Sequence, residues 1–131
     1  MKRKSVNDLG VLQQAIMQAV WGLNEATTRQ VWERLNRTRS LAYTSVLSIM
    51  QRLEKAGWLK HRLEGRAYVY QATLSRDQES RRSLKDFIRR AFQGNARLVF
   101  QHLIEDEALD EADLLALRTL IDQKRKARKC I

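Results

Sequence analysis

Six side chains between positions 43 and 52 stand apart by type and spacing: Tyr43, Thr44, Ser45, Ser48, Gln51 and Arg52. They lie in AYTSVLSIMQRLEKAGWL (residues 42–59), whose pattern is helical. Val46, Met50 and Leu53 fall on one face of that helix, and Leu47 and Ile49 widen it. The six polar groups are left on the other side. An ordinary solvated face in this chain would carry Lys, Glu and Arg, and Ser and Thr are poor helix formers for that purpose. No acidic side chain occurs between Ser40 and Leu53. The chemistry on offer is recognition rather than bond making. Hydroxyls donate or accept, a guanidinium forks onto two acceptors, and the Thr methyl and Tyr ring offer small apolar surfaces. Base edges in a DNA major groove present the complementary set of donors, acceptors and thymine methyls.

Such a face needs elements that hold it outward. Leu9, Leu12, Ile16, Val20 and Leu23, with Ala15 and Ala19, mark a first helix, with Asn7 or Asp8 as its cap and Gly22 near its end. Thr27 and Gln30 have capping-box spacing for a second helix, whose apolar face is Val31, Trp32 and Leu35. Asn36 to Arg39 is a polar break, after which the third helix follows. Gly57 is placed to end it in the left-handed conformation, which would let Trp58 pack back on Leu53. Two strand-like runs, residues 59–63 and 67–72, flank Glu64-Gly65-Arg66 and read as a hairpin. Three helices and a hairpin, in that order within 75 residues, are the order of a winged helix-turn-helix. In that arrangement the third helix enters the major groove and the hairpin is the wing beside it.

The expected base-reading residues are therefore Tyr43, Thr44, Ser45, Ser48 and Arg52. Arg37, Arg39 and Ser40, at the expected start of the third helix, and Lys60, Arg62 and Arg66, in the wing, are the expected contacts to the phosphate backbone. Any one of these charges alone reads as an ordinary solvated residue; the cluster carries the inference. Trp21, Trp32, Trp58, Tyr68 and Tyr70 read as core rather than as a ligand cage.

Charge supports a polyanionic partner. The formal net charge is +10 and the pI about 10.4. Residues 1–74 hold 12 Lys and Arg against 5 Asp and Glu, so +7, while residues 75–131 hold 13 against 10, so +3. The excess thus sits with the winged-helix pattern. Basic charge by itself is equally a solubility device.

Other classes are excluded or weakened. No stretch approaches the roughly 18 apolar residues of a membrane span, and no apolar signal core follows the basic start, so a cytoplasmic protein is expected. One cysteine, Cys130, rules out an internal disulfide framework. His61, His102 and Cys130 are too few and too scattered for a zinc site. No nucleophile motif or phosphate-cradling glycine loop points to an enzyme. The acidic cluster from Glu105 to Asp113 lacks calcium-loop spacing and fits a helix cap with a solvated loop. No cofactor is expected.

Residues 75–131 read as three amphipathic helices. Leu84, Phe87, Ile88, Ala91 and Phe92 mark the first. Ala96, Val99, Phe100, Leu103 and Ile104 mark the second, after a break at Gly94-Asn95. Leu114, Leu117, Leu120 and Ile121 mark the third, with Asp110 as its N-cap. So short a helical segment makes a poor independent core. Its apolar faces need a partner surface, and a second copy of the chain is the simplest one. Packing on the chain's own N-terminal half is the other solution. The expected dimer interface is Phe100, Leu103, Leu114, Leu117 and Ile121. The expectation is mainly α with a small β-hairpin wing, in two domains: residues 1–74, a winged helix, and residues 75–131, a helical dimerisation region.

The same motifs resemble the BlaI/MecI/CopY (penicillinase repressor) family of bacterial repressors. LGVLQQAIMQAVW (residues 9–21) looks like that family's first-helix signature, residues 41–59 like its recognition helix and EGRAYVY (residues 64–70) like its wing, at matching spacings. Gln13 stands where many relatives carry Glu. The resemblance implies a homodimeric repressor on a pseudo-palindromic operator, with Tyr43, Thr44 and Ser45 approaching bases and Arg66 near the backbone. It also implies, in the antibiotic-responsive branch, a membrane sensor-protease that triggers cleavage at an Asn-Phe bond in the fifth helix. His102-Leu103 stands in that place here. The copper-responsive branch ends in a cysteine-rich metal motif, against which this chain offers Cys130 alone. The competing reading is a winged-helix protein-interaction module without sequence-specific DNA binding.

Overall fold

A short 3-10 turn, Val6–Asp8, precedes nine regular elements: α1 (Val11–Leu23), β1 (Glu25–Ala26), α2 (Thr28–Leu35), α3 (Tyr43–Lys55), β2 (Leu59–Glu64), β3 (Ala67–Ala72), α4 (Arg76–Phe92), α5 (Ala96–Glu105) and α6 (Glu111–Lys129). The computed structural model describes residues 5–130. The basic run at residues 1–4 lies outside them. The chain divides into two units, Met1–Asp86 and Phe87–Ile131.

In the first unit, helix starts and stops follow from local chemistry. Thr27 Oγ1 accepts from the Gln30 N–H at 3.2 Å, and Gln30 Oε1 accepts from the Thr27 N–H at 2.9 Å, so the capping box of α2 forms. Gly57 adopts φ +90°. The Trp58 N–H then reaches the Leu53 carbonyl at 2.8 Å and the Gly57 N–H the Glu54 carbonyl at 3.0 Å, which closes α3.

One expectation at α1 is corrected. Asn7 and Asp8 do not cap it. They lie in the 3-10 turn, itself capped by Ser5, and α1 starts after Gly10. There Gln13 Oε1 accepts the Gly10 N–H at 3.0 Å, a bond that a glutamate would make equally well. Gly22 does sit near the end of the helix, one residue before its last. Asn24, at φ 71°, takes the left-handed position, while Gly22 leaves room for the Arg34 guanidinium, which lies 3.0–3.2 Å from where a Cβ would stand.

The sheet is antiparallel, in the order β1-β3-β2. Its two-residue hairpin loop, Gly65-Arg66, has left-handed φ (+63°) at the glycine only, as in a type II′ turn. β1 is too short to leave a sequence pattern and exists through its pairing of Glu25 with Gln71 and Ala26 with Tyr70. The core gathers Ile16, Met17 and Val20 of α1, Val31 of α2, Val46, Met50 and Leu53 of α3, and Trp58, Leu59 and Tyr70.

The first turns of α4 belong to this unit. Glu79 is 1% exposed. Its Oε1 accepts the Val6 N–H at 3.0 Å and the Ser83 hydroxyl at 3.1 Å, and the Ser5 hydroxyl reaches Ser83 at 3.2 Å. A buried carboxylate thereby ties the start of the chain to α4. Glu79→Ala removes the acceptor of the part-buried Val6 N–H and of the buried Ser83 hydroxyl. It should lower stability by about 1.5–3 kcal/mol, read as a lower urea midpoint for the intact chain.

The second unit has no buried residue among those described. Its caps are nevertheless well made. Asn95 Oδ1 accepts from the Leu98 N–H at 3.1 Å, and Asp110 Oδ1 from the Asp113 N–H at 2.8 Å. Phe100, Ile104, Leu114, Leu117, Leu120 and Ile121 line an open apolar groove of about 690 Å³, edged by Arg97, Arg118 and Lys124.

Candidate nucleic-acid interface

α3 is anchored by Val46, Met50 and Leu53, which are 0–1% exposed. Burying that row turns Tyr43, Thr44, Ser45, Ser48 and Arg52 outward, and all five are exposed. Thr44, Ser48 and Arg52 follow one another at steps of four, so they form a single row along the helix.

The connection before α3 is held by two side chains of α2 and its end. The Trp32 indole N–H donates to the Leu41 carbonyl at 2.7 Å, and Asn36 Oδ1 accepts the Leu41 N–H at 3.0 Å. The Asn36 amide also donates to the Trp32 carbonyl at 2.8 Å. Trp32 lies edge-on to Tyr43, with ring centroids 6.1 Å apart, at the first residue of the outward face of α3. Trp32 is thus half-buried core with a polar duty that periodicity does not reveal.

This pinning corrects one expectation. Arg37, Arg39 and Ser40 do not form the first turn of α3. With both backbone groups of Leu41 engaged outside a helix, α3 starts at Tyr43 with Ala42 as its cap. The three residues are exposed in the turn before it.

The wing presents two different faces. Strand alternation and register put Leu59, His61 and Leu63 with Tyr68, Tyr70 and Ala72 on one side, and Lys60, Arg62 and Glu64 with Val69 and Gln71 on the other. On the first side His61 Nδ1 meets Glu54 Oε2 of α3, and the imidazole stacks on Tyr68 at 4.2 Å between centroids. Burial, with Glu54 nearby, pushes the Tyr70 phenol up.

On the second side Arg62 is engaged, unlike the open cation expected from sequence. Its guanidinium donates to both oxygens of Glu25, at 2.8 and 2.9 Å, and to Glu64 Oε2 at 3.0 Å. The hydrogen bonds from Arg62 hold the Glu25 carboxyl below the usual carboxylate range. Sequence spacing could not reveal this set, because it depends on three strands coming into register. By contrast, the side chains of Arg37, Arg39, Arg52, Lys60 and Arg66 make no hydrogen bond or ion pair among the described residues. Arg66 stands in the loop at the wing tip. The arrangement combines a hydroxyl-rich helical face with unpaired cations on the turn before it and the hairpin after it, and it lacks a nucleophile paired with a base.

Comparisons with known proteins agree with this geometry. The family described as penicillinase repressor matches residues 9–123. The transcriptional regulator BlaI of Mycobacterium tuberculosis is 35% identical over 109 residues, which are 82% of this chain and 79% of that protein. The penicillinase repressor of Bacillus licheniformis is 20% identical over 126 residues, covering 96% and 98% of the two chains. Among solved structures, hsRosR-SG shares the fold, with a TM-score of 0.53 at 13% identity over 95% of this chain and 98% of that one.

Proposed function

As a member of the penicillinase repressor family this chain is a DNA-binding transcriptional repressor, and we propose that it acts as a homodimer on a pseudo-palindromic operator. α3 reads base edges through Tyr43, Thr44, Ser45, Ser48 and Arg52. Arg37, Arg39, Ser40, Lys60 and Arg66 hold the phosphate backbone. The observation that carries this assignment is the outward row of Thr44, Ser48 and Arg52, directly opposite the buried row that fixes the helix.

Residues 1–74 supply the DNA-binding surface and residues 75–131 the dimer, through Phe100, Leu103, Leu114, Leu117 and Ile121. The apolar groove, and the lack of any buried residue among those described from Phe87 onward, support a dimerising role for the C-terminal part of that segment. The chain works in the cytoplasm, where the operator is. Among the described residues no helix is long and apolar enough to cross a membrane. A membrane sensor-protease is the partner that the family resemblance supplies for release. The bond in its place is His102-Leu103, an exposed pair within α5.

Base reading and anchoring separate by mutation. Thr44→Ala or Ser45→Ala should reduce the preference for operator over mismatched duplex by roughly 1–3 kcal/mol. The fold should survive, since both side chains face outward. Anisotropy titrations against a duplex enriched from a random-sequence pool, and against its scrambled counterpart, measure the difference. Equal losses on both duplexes would assign base reading to other residues, and binding to neither would favour a protein-interaction module.

A further inference from the structure

We propose that Arg62 is a positioning residue: its clamp on Glu25 fixes the wing for DNA binding, and it does not itself hold a phosphate. The inference rests on the duplex-binding reading above and assigns a role within it.

A two-stranded hairpin is marginal by itself, and this one has little support from the sheet. β1 pairs only with Gln71 and Tyr70, at the end of β3 away from the loop. Past that point β2 and β3 have only each other, and Leu63 and Tyr68 near the tip are 65% and 46% exposed. Two side-chain ties hold the hairpin, one at the last position that β1 supports and one just past it. On one face His61 meets Glu54 of α3. On the other, Arg62 reaches across β3 to Glu25 of β1.

A bidentate guanidinium–carboxylate pair fixes direction as well as distance. The third bond, to Glu64 in the same strand, holds the Arg62 fork over the sheet. Three N–H groups are therefore committed to two carboxylates, and the trio carries a net charge of −1. Two of the five N–H groups of the guanidinium remain, and a phosphate reaching them would lie beside two carboxylates. Arg66, four residues further on and unpaired, meets no such competition.

Charge and position give opposite signs for one substitution. Glu25→Gln removes a negative charge and would strengthen binding to a polyanion if Arg62 were a restrained phosphate ligand. If the clamp sets the wing, the same change should weaken binding. The test uses the full chain, the enriched duplex and a salt titration for wild type, E25Q, R62Q and the exchanged pair E25R/R62E. Amide hydrogen exchange in the wing of the free protein is measured alongside.

The expected result is a loss of about three- to fivefold for E25Q and for R62Q, near the top of the range for an exposed pair of good geometry. The salt slope should stay at its wild-type value in both, their wing amides should exchange faster, and the exchanged pair should recover part of the loss, since a glutamate at position 62 cannot bond Glu64. The proposal is overturned if E25Q binds as tightly as wild type or tighter, or if R62Q makes the slope shallower by about 1 per half-site. Wild-type chain that binds no duplex would remove the DNA-reading assignment. The clamp would then stand if E25Q still speeds wing exchange, and would fall if it does not.

Discussion

Raising monovalent salt from about 50 to 200 mM should weaken operator binding by roughly 10³–10⁵-fold, because each neutralised phosphate releases condensed counterions. The range applies to about 6–10 phosphates. Arg37, Arg39, Lys60 and Arg66 are four open cations on each chain, and therefore eight in a dimer. Scrambled duplex should lose affinity with a similar slope, since backbone contacts carry no sequence information. Arg66→Ala should weaken both duplexes alike and make the slope shallower by about 1 per half-site. Anisotropy titrations at a series of salt concentrations give the slope directly. A flat response would remove the backbone role from the turn and the wing together.

The second large effect belongs to the proposed dimer. In a two-fold interface every substitution is made twice. Leu117 lies in the apolar groove of α5 and α6 with Phe100, Leu114 and Ile121. Truncating a leucine that the partner buries costs about 2–5 kcal/mol. Two copies should therefore weaken association by roughly 10³-fold or more. Analytical ultracentrifugation should show the intact chain as a dimer at micromolar concentration and Leu117→Ala as a monomer, with circular dichroism reporting whether the helices persist. DNA affinity should fall with it, because two linked winged helices gain from effective concentration what one half-site lacks. An intact chain that sediments as a monomer would refute the interface.

What could be read from sequence, and what could not, divides by the range of the interaction. Thr27 and Gln30 are three residues apart, and Gly57 and Trp58 adjoin the helix they end; their chemistry is local and was visible. The outward face of α3 was visible for the same reason, since Val46, Met50 and Leu53 fix which side is buried. β1 was not, because two residues have no period of their own. The commitment of Arg62 was not, because Glu25 lies 37 positions away and meets it only once β3 lies between them. The later start of α3 depends on Trp32 and Asn36, nine and five residues from the backbone they hold. An indole periodicity files as core gives no sign that its N–H will choose where the next helix begins. The tie between Val6 and Glu79 spans 73 positions and lay beyond pattern reading altogether.

Trp32 carries one more consequence, and it is optical. Trp58 is sealed in the core and the Trp21 indole is bonded to the Leu74 carbonyl, so both sit in surroundings set by packing. Trp32 lies edge-on to Tyr43, at the start of the proposed reading face. The surroundings of this one chromophore should change if a duplex covers Tyr43 as proposed. The repressor thus has a native fluorophore beside the proposed reading face, and if α3 binds DNA as proposed, emission should report its occupancy without a dye or a label.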